Sequence, residues 1–342
     1  GKIMPKLFSK MTVRNLELRN RVVMPPMCTY STDDQGRAND WHFVHYVTRA
    51  VGGVGLIIIE ATGVERRGRI TDTDLGLWED GQVEGLKRIV TECQKYGAKV
   101  AIQLGHAGRK CSIPSEDLIA PSALPFDENY KTPRAMTKED IRTVTESFRQ
   151  AAFRVEQAGF DALEIHAAHG FLLSEFLSPL ANRREDEYGG SHENRARFLK
   201  EVITAIRAVW PQEKPLIVRV SAEDYVSGGN HPEDLAKMIN LVKSAGVDVV
   251  HVSSGAVVPA KINTYPGYQV KYAEIIKTMT GLPVIAGGLI TSPFMAEEII
   301  QNERADLVFL GRELLRNPYW PLQAAKELGQ EIKWPFQYER SR

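Results

Sequence analysis

Eight short runs of β-branched and other apolar residues recur along the 342-residue chain, and this recurrence constrains the fold more than any other feature. Between them lie stretches with apolar residues at helical spacing, such as 137–158, which begins with the capping-box sequence TKED and is followed by Gly159. This alternation predicts a (β/α)8 barrel, a TIM barrel, as a single domain over residues 1–342. The predicted strands span 21–27, 54–61, 99–106, 160–167, 215–222, 247–254, 282–288 and 305–311.

Motifs and composition argue against an alternative fold and against several kinds of binding partner. A doubly wound open sheet is the alternative fold, but no predicted strand is followed by the G-x-G-x-x-G turn that binds dinucleotides. The 43 Lys and Arg balance the 43 Asp and Glu, so charge favours neither nucleic acid nor a membrane surface as partner. No apolar run approaches the length of a membrane span. The three cysteines, Cys28, Cys93 and Cys111, are odd in number and unpatterned, which favours a reducing, cytoplasmic setting.

Four polar residues fall at inward-facing positions near the carboxyl ends of the predicted strands. Alternate residues of a barrel strand face inward, which places Gln103, Glu164, His166 and Arg219 inside the barrel. An unpaired buried charge is costly, so a barrel interior would not carry this set unless it met a polar ligand. An internal Glu164–Arg219 ion pair is the alternative interpretation.

Loops after the third, seventh and eighth predicted strands carry further signals. The segment 111–136 is rich in proline, and a loop of this length on the active face of a barrel is usually a lid or a substrate wall. Gly288 ends the seventh strand, and Gly311 and Arg312 lead from the eighth strand into a helix. Barrels commonly bind phosphate at these two loops, so we expect a large phosphorylated cofactor there rather than two ordinary turns.

Two histidines, His166 and His169, stand three residues apart in the sequence EIHAAHGF after the fourth predicted strand. Two such histidines can offer preorganised N–H donors, which stabilise negative charge that develops on a substrate oxygen. The same spacing could hold zinc, but a catalytic zinc needs a third protein ligand. Beyond Glu164, the neighbouring sequence offers no such histidine or thiolate set, and we expect no metal.

Ten segments, taken in order, make the chain similar to the old yellow enzyme family of FMN-dependent ene-reductases, in the branch often called thermophilic-like. The similarity extends from about residue 6 to Arg340, nearly the whole chain. The segments are RNRVVMPPMCTYS, WHFVHYVTRAVGGVGLIIIEATGV, GRITDTDLGLW, IQLGHAGRK, EIHAAHG, FLSPLANRREDEYGGSHENRARF, VRVSAEDY, PGYQV, GRELLRNPYW and QYER.

The resemblance implies that FMN binds at the carboxyl-terminal mouth of the barrel and that NADPH, or NADH, is the hydride donor. The substrates would be small enones and enals, and the protein a homodimer or homotetramer. The residues implied for the cofactor are Pro25, Pro26, Met27, Cys28, Ala61, Gln103, Arg219, Gly288, Gly311 and Arg312. The residues implied for substrate and catalysis are His166, His169, Cys28, Tyr30, Phe171 and Arg340.

Individual roles also follow from the resemblance. Gln103 would bond the pyrimidine edge of the flavin, and Arg219 would lie by its N1–C2 carbonyl, where a cation stabilises negative charge on the reduced ring. Cys28 would tune the redox potential, and Tyr30 would line the substrate pocket. Arg340, in the tail 328–342, would reach into the site of a neighbouring subunit.

Phe171 departs from the family pattern, in which a tyrosine usually follows HAAHG and delivers a proton to the α-carbon of the substrate. Phenylalanine keeps the ring but has no transferable proton. Protonation could come from water or from another group, such as Tyr30 or Tyr268. Alternatively, the enolate survives long enough for another reaction, such as reductive cyclisation, or the substrate differs from ordinary enones. Two smaller departures, Thr29 and Gly105, would alter the pocket slightly.

Two other classes of function stay open at this point. A flavin-free, phosphate-binding isomerase or aldolase would use a metal or a catalytic lysine. Lys110 is the best lysine for that chemistry, although the sequence around it gives no sign of an apolar pocket. A flavin-binding barrel that has lost its activity would be yellow, but NADPH would not bleach it.

Overall fold

Eight parallel strands close into a barrel in the computed structural model, which describes residues 4–342. Positions 1–3 of the predicted domain lie outside the described residues. The strands of the structure are β1 (Met11–Val13), β2 (Leu16–Leu18), β3 (Val22–Met24), β4 (Leu56–Gly63), β5 (Lys99–Gly105), β6 (Ile119–Ala120), β7 (Arg134–Ala135), β8 (Ala162–Ala167), β9 (Leu216–Ser221), β10 (Val249–Ser253), β11 (Val284–Ala286) and β12 (Leu307–Phe309). Around the barrel they follow the order β3, β4, β5, β8, β9, β10, β11 and β12, which confirms the predicted (β/α)8 fold.

Helices surround this barrel and connect its strands. They are α1 (Asp40–Val51), α2 (Val83–Lys95), α3 (Lys138–Gln157), α4 (Leu172–Leu177), α5 (His192–Arg207), α6 (Pro232–Val242), α7 (Val270–Thr280), α8 (Pro293–Gln301), α9 (Arg312–Arg316) and α10 (Trp320–Glu327). The predicted capping box at the start of α3 is present, because Asp140 N–H donates to the Thr137 hydroxyl (3.1 Å) while Thr137 N–H donates to the Asp140 carboxylate (2.7 Å). Between residues 4 and 342, no helix combines the length and the apolar character that crossing a bilayer requires.

The barrel interior divides into an apolar end and a polar end. Its apolar end is filled by one inward-facing set, which comprises Val23, Leu56, Ile58, Ala101, Ala162, Ile217, Val249, Ile285, Leu307 and Phe309. The antiparallel hairpin of β1 and β2 closes this end, because Leu16 and Leu18 pack into the same cluster. The apolar packing occupies the amino-terminal half, so polar side chains collect at the carboxyl-terminal mouth, where barrels place their active sites.

The segment 111–136 folds back beside this mouth. Its two short strands, β6 and β7, pair with each other, and the guanidinium of Arg109 donates hydrogen bonds to the carbonyl oxygens of Leu124 (3.0 Å) and Pro125 (3.3 Å). The other end of the same guanidinium donates to the carbonyl oxygen of Val257 (2.9 Å), beyond β10. One buried arginine therefore joins the loop after β5 to the loop after β10.

Candidate active site

A layer of polar side chains crosses the barrel interior, formed by Gln103, Glu164, Arg219 and His251. The strand register sets Gln103 opposite Glu164, and Arg219 opposite His251. The Glu164 carboxylate accepts a hydrogen bond from Gln103 Nε2 (2.9 Å) and lies 2.6 Å from His251 Nδ1. The ion pair between Glu164 and Arg219 that we considered as an alternative is therefore wrong, because the carboxylate bonds to these two neighbours instead.

His251 is a member of this layer that the sequence interpretation missed. It lies on the same inward face of β10 as Val249 and Ser253, so the alternation that identified Gln103 and Arg219 also applied to it. Burial, followed by the nearby Arg219 cation, lowers the pKa of His251 to about 4, although Glu164 opposes that shift. His251 is therefore neutral at pH 7 and donates its Nδ1–H to Glu164.

Arg219 is a buried cation with an unused donor. Its side chain lies over the ring of Phe309, with Cζ 5.5 Å from the ring centroid, and only 7% of the residue is exposed. Within residues 4–342, its Nε has no hydrogen-bond partner. Leaving such a group unpaired is costly, so Arg219 has a donor that can bond to an oxygen atom of a ligand.

A β-bulge interrupts the regular pairing of β4 near Ala61. Ile59 pairs with Ile102 and Thr62 pairs with Leu104, so β4 contains one residue more than β5 between the two pairs. Ala61 lies in this bulge and lines the small cavity at the mouth of the barrel. Burial, reinforced by the Asp74 and Glu60 carboxylates, raises the pKa of the Cys28 thiol, which is therefore protonated.

The residues predicted for phosphate gather where three strands end. Gly288 follows β11 in a left-handed conformation (φ +102°), and a Cβ there would lie 3.0 Å from the ring of Tyr268. A Cβ on Gly311, after β12, would lie 3.5 Å from Met27 Sδ and 3.8 Å from Pro25 Cγ. Glycine at 288 therefore leaves room for the Tyr268 ring, whereas a Cβ on Gly311 would make only ordinary contacts. Arg312 is exposed beside them, at the first position of α9.

His166 and His169 lie together at the mouth, with ring centroids 5.3 Å apart. Burial, followed by the Arg219 charge, lowers the pKa of both histidines well below its usual range, so both are neutral at pH 7. His166 Nδ1 accepts the N–H of Ala168 (3.3 Å), which leaves Nε2 to carry the proton. His169 has a left-handed backbone (φ +61°), and its Nε2 lies 2.7 Å from the Ser253 hydroxyl.

Gly170 and Phe171 complete this turn. Gly170 is left-handed (φ +72°), and a Cβ there would lie 2.3 Å from the carbonyl oxygen of Ala256, so the backbones of the two loops meet directly. The Phe171 ring lies 5.0 Å from the His166 ring, between centroids. A small cavity beside these rings is lined by residues that include Ala61, Ile70, Gly105, His106, His166 and Phe171. This cavity joins the β4 and β5 ends to the histidines.

Comparison with known proteins identifies the family. Residues 6–331 match the sequence profile of the NADH:flavin oxidoreductase / NADH oxidase family. The chain belongs to this FMN-dependent family. The old yellow enzyme resemblance is thereby confirmed, and the protein is an oxidoreductase.

Relatives of this family match nearly the whole chain. The NADPH dehydrogenase of Clostridium acetobutylicum is 57% identical over 337 residues, which are 98% of this chain and 99% of that protein. The NADPH dehydrogenase of Geobacillus thermodenitrificans is 57% identical over 335 residues, 98% of each chain. Among solved structures, the old yellow enzyme homologue from Zymomonas mobilis has a TM-score of 0.82 at 26% identity and covers 97% of this chain and 96% of its own.

The residues at the mouth fit the FMN of this family. Arg219 offers a buried, unpaired donor, as a carbonyl-bearing ring requires, and Gly288 and Gly311 follow β11 and β12, where barrels commonly bind phosphate. Gln103 donates its Nε2–H to Glu164, so its amide oxygen remains as an acceptor. Pro25 is buried, and Pro26 and Met27 are partly buried, in the segment between β3 and Cys28.

Two residues of the family pattern lie at the surface of the single chain. Tyr30 has 55% of its surface exposed and adopts a left-handed backbone (φ +52°). Arg340 is exposed in the short 3-10 helix Phe336–Ser341, and its side chain forms no hydrogen bond or ion pair with any residue from 4 to 342. The structure of one chain therefore does not join Arg340 to the histidines.

Lys110 has apolar surroundings of which the local sequence gave no sign. Its Nζ lies 4.3 Å from the ring centroid of Phe126 and 5.1 Å from that of Phe171. Burial lowers the pKa of Lys110 to about 8. Phe126 comes from the segment 111–136, so this pocket exists only because that loop folds back.

The two smaller departures from the family pattern also have definite neighbours. The hydroxyl of Thr29 bonds to the Glu60 carboxylate (3.0 Å), and a Cβ on Gly105 would lie 3.1 Å from the Cβ of His166. Glycine at 105 therefore relieves crowding beside His166. In the part of the chain that the structure describes, no three histidine, cysteine or acidic side chains are grouped so that they could hold a metal ion.

Proposed function

We propose that this protein is an NAD(P)H-dependent ene-reductase that reduces the C=C bond of α,β-unsaturated carbonyl compounds. The observation that carries this proposal is the pair of neutral histidines, His166 and His169, beside a mouth that fits FMN. The curated relatives named NADPH dehydrogenase support NADPH as the reductant. When bound, FMN would supply the hydride that adds to the β-carbon of the substrate. The family makes a flavin-free isomerase or aldolase unnecessary as an explanation of the phosphate loops.

The histidines would hold the carbonyl oxygen of the substrate. Nε2–H of His166 is the free donor of that ring, because its Nδ1 accepts the Ala168 N–H. For His169, a Ser253 hydroxyl that donates to Nε2 would leave the proton on Nδ1, free to face the same oxygen. Two such donors stabilise the enolate oxygen, and losing one typically lowers kcat by about 100-fold or more.

The chain's own residues would also hold and tune the flavin. Arg219 would bond the N1–C2 carbonyl, and Gln103 would present its amide oxygen to the pyrimidine edge, with Glu164 fixing the amide orientation. The protonated Cys28 thiol would tune the redox potential. Gly288, Gly311 and Arg312 would bind the phosphate.

Phe171 would leave hydride transfer in place and weaken protonation. Its ring packs beside His166 as a tyrosine ring would, but it carries no acidic proton. A longer-lived enolate could then attack an electrophile within the same molecule, which is the reductive cyclisation that we keep as the second candidate. Tyr268, one of the two alternative proton donors, lies beside Gly288, and its hydroxyl accepts a hydrogen bond from Gln269 Nε2 (3.1 Å).

We further propose a homodimer or homotetramer in which the tail 328–342 reaches a neighbouring subunit. The exposed Arg340, and a Phe336 side chain that is 80% exposed, support this arrangement. The segment 111–136 would act as a wall or lid over the substrate, since Arg109 attaches it beside the mouth. The three free thiols fit a cytoplasmic setting.

Anaerobic titration of the purified protein with NADPH, followed by 2-cyclohexenone, tests the function. We expect the flavin absorbance to bleach with NADPH and to return with the enone, with product analysis showing whether the ketone is saturated or cyclised. Bleaching that only oxygen reverses would contradict the ene-reductase proposal for ordinary enones. Protein that cannot be made yellow by added FMN would contradict the cofactor assignment.

A further inference from the structure

We infer that Lys110 is the proton donor to the substrate's α-carbon in this chain, in the place of the hydroxyl that Phe171 lacks. This inference rests on the ene-reductase function proposed above. The chemistry lacks one group: the two histidines stabilise an oxygen, but no residue assigned so far returns a proton to carbon. Tyr30 is largely exposed, and Tyr268 lies beside the phosphate loop.

Lys110 is positioned and held in a defined way. Its Nζ donates one hydrogen bond to the carbonyl oxygen of His169 and another to that of Ala256, each 2.9 Å long. Its third N–H bond has no hydrogen-bond acceptor in residues 4–342, and the ammonium lies over the Phe126 and Phe171 rings, 4.3 and 5.1 Å from their centroids. One proton is therefore spare, next to the ring at the position that usually carries the acid.

The charges around Lys110 keep its proton exchangeable. Burial is the largest influence and lowers its pKa to about 8, with the Arg109 cation acting in the same direction and the Glu175 and Asp127 carboxylates opposing it. The neighbouring His166 and His169 are neutral, and Glu175, buried below the loop, has its own pKa raised to about 8 by burial. An acid works best when its pKa lies near the working pH.

The step balances without any further reagent. The hydride that reduced FMN would supply, leaving the flavin oxidised, forms a C–H bond at the β-carbon, and the C=C electron pair moves towards the carbonyl oxygen to give an enolate. An N–H bond of Lys110 then breaks and a C–H bond forms at the α-carbon, directly or across one water molecule. Lys110 is left as a neutral amine, and solvent returns its proton.

Lys110→Arg separates this role from a structural one. Arginine keeps the cation and can donate to the carbonyl oxygens of His169 and Ala256, but it does not release its proton at working pH. The experiment mixes anaerobically reduced enzyme with 2-cyclohexenone and records the rate at which flavin absorbance returns, between pH 6 and 10. The variants are Lys110→Arg, Lys110→Met and Phe171→Tyr, together with Phe171→Tyr combined with each Lys110 substitution. Bound flavin and thermal melting report whether each variant folds.

In the wild-type background, we expect the rate to fall as the pH rises through about 8, because the ammonium form is lost. Lys110→Arg should slow reoxidation about 100-fold and remove this pH dependence. In the Phe171→Tyr background, the same substitution should have little effect, because the phenol supplies the proton.

Three results separate the possible failures. The proton-donor role is overturned if Lys110→Arg slows flavin reoxidation equally in the wild-type and Phe171→Tyr backgrounds. It is also overturned if Lys110→Arg keeps the reoxidation rate and pH profile of the wild type. If Lys110→Arg is normal and only Lys110→Met is slow in both backgrounds, Lys110 merely supports the His169 loop, and the inference is again overturned. If reduced wild-type and Phe171→Tyr proteins are never reoxidised by the enone, the proposed ene-reductase function itself fails, and this step fails with it.

Discussion

The contact between the two loops at Gly170 yields a prediction whose magnitude follows from the structure. Gly170 adopts φ +72°, and replacing it with alanine in this left-handed conformation costs about 1–2 kcal/mol. The added Cβ would also lie 2.3 Å from the carbonyl oxygen of Ala256 and 2.9 Å from the Cα of Val257. Ordinary contacts of carbon atoms are about 3.5–4.0 Å, so the loops must separate by about 1 Å.

This separation adds a steric cost to the backbone cost. Overpacking of this kind typically costs about 1–3 kcal/mol, so Gly170→Ala should lower the free energy of unfolding by about 2–5 kcal/mol in total. It should also disturb the hydrogen bond from Lys110 to the Ala256 carbonyl and move His169. Loss of one hydrogen bond to the substrate oxygen would lower kcat, because the enolate is stabilised less, and the loss of about 1 kcal/mol of substrate binding would raise KM for the enone about 5-fold.

Gly281 offers a matched control, because it has the same φ of +72° and a Cβ added there would have no heavy atom within 4 Å. Gly281→Ala should therefore show the backbone cost alone, with unchanged KM. Urea unfolding followed by intrinsic fluorescence gives the stabilities, and initial rates with 2-cyclohexenone give KM. If the two variants lose the same free energy of unfolding and keep the same KM, the contact between the two loops does not position His169.

Three further changes test separate parts of the site. Arg219→Met should raise the FMN dissociation constant about 10- to 100-fold, because a charged hydrogen bond is worth about 1.5–3 kcal/mol. Fluorescence titration of the apoprotein measures this constant, and an unchanged value would show that Arg219 does not contact FMN. Ser253→Ala should raise KM for the enone about 5-fold without changing flavin binding, because the Ser253 hydroxyl no longer fixes which nitrogen of His169 carries the proton. An equal loss of enone binding and FMN binding would instead indicate general damage to the site. Burial alone would raise the pKa of Glu65. The hydrogen bond from His106 and the ion pair with Arg67 outweigh burial and hold that pKa at about 2, against the usual 4.5. Because the folded pKa is depressed, this stabilisation is present above pH 4.5 and is lost as the pH falls towards 2. Glu65→Gln should therefore be less stable than wild type by about 3 kcal/mol at pH 7, and urea unfolding should show that difference shrinking by at least half at pH 3.

Much of the barrel could be predicted because its strands are marked by composition. The eight β-branched runs all became strands, but several are shorter than predicted. The structure ends β11 at Ala286, whereas the prediction continued to 288, because Gly287 makes room for the ring of Phe309 and Gly288 turns left-handed. A Cβ on Gly287 would lie 2.6 Å from that ring. Such ends depend on packing between distant residues, which a local pattern does not contain.

The candidate site was predictable where alternation along a strand decides the direction of a side chain. Alternation placed Gln103 and Arg219 correctly inside the barrel and would also have found His251. It fails at the β4 bulge, where one extra residue redirects Ala61 and no sequence signal marks the insertion. It also says nothing of Lys110, whose low-dielectric surroundings arise only when Phe126 folds back from a loop.

The hairpin of β1 and β2 closes the end of the barrel that lies opposite the site, and this makes it a suitable point for fastening the protein to a solid support. Glu17 lies in that hairpin with 59% of its side chain exposed. Of the chain's own thiols, Cys93 and Cys111 are buried and Cys28 is only partly accessible. A cysteine introduced at position 17 would therefore react first with a surface-bound maleimide, and each immobilised molecule would turn its open mouth towards the reaction medium.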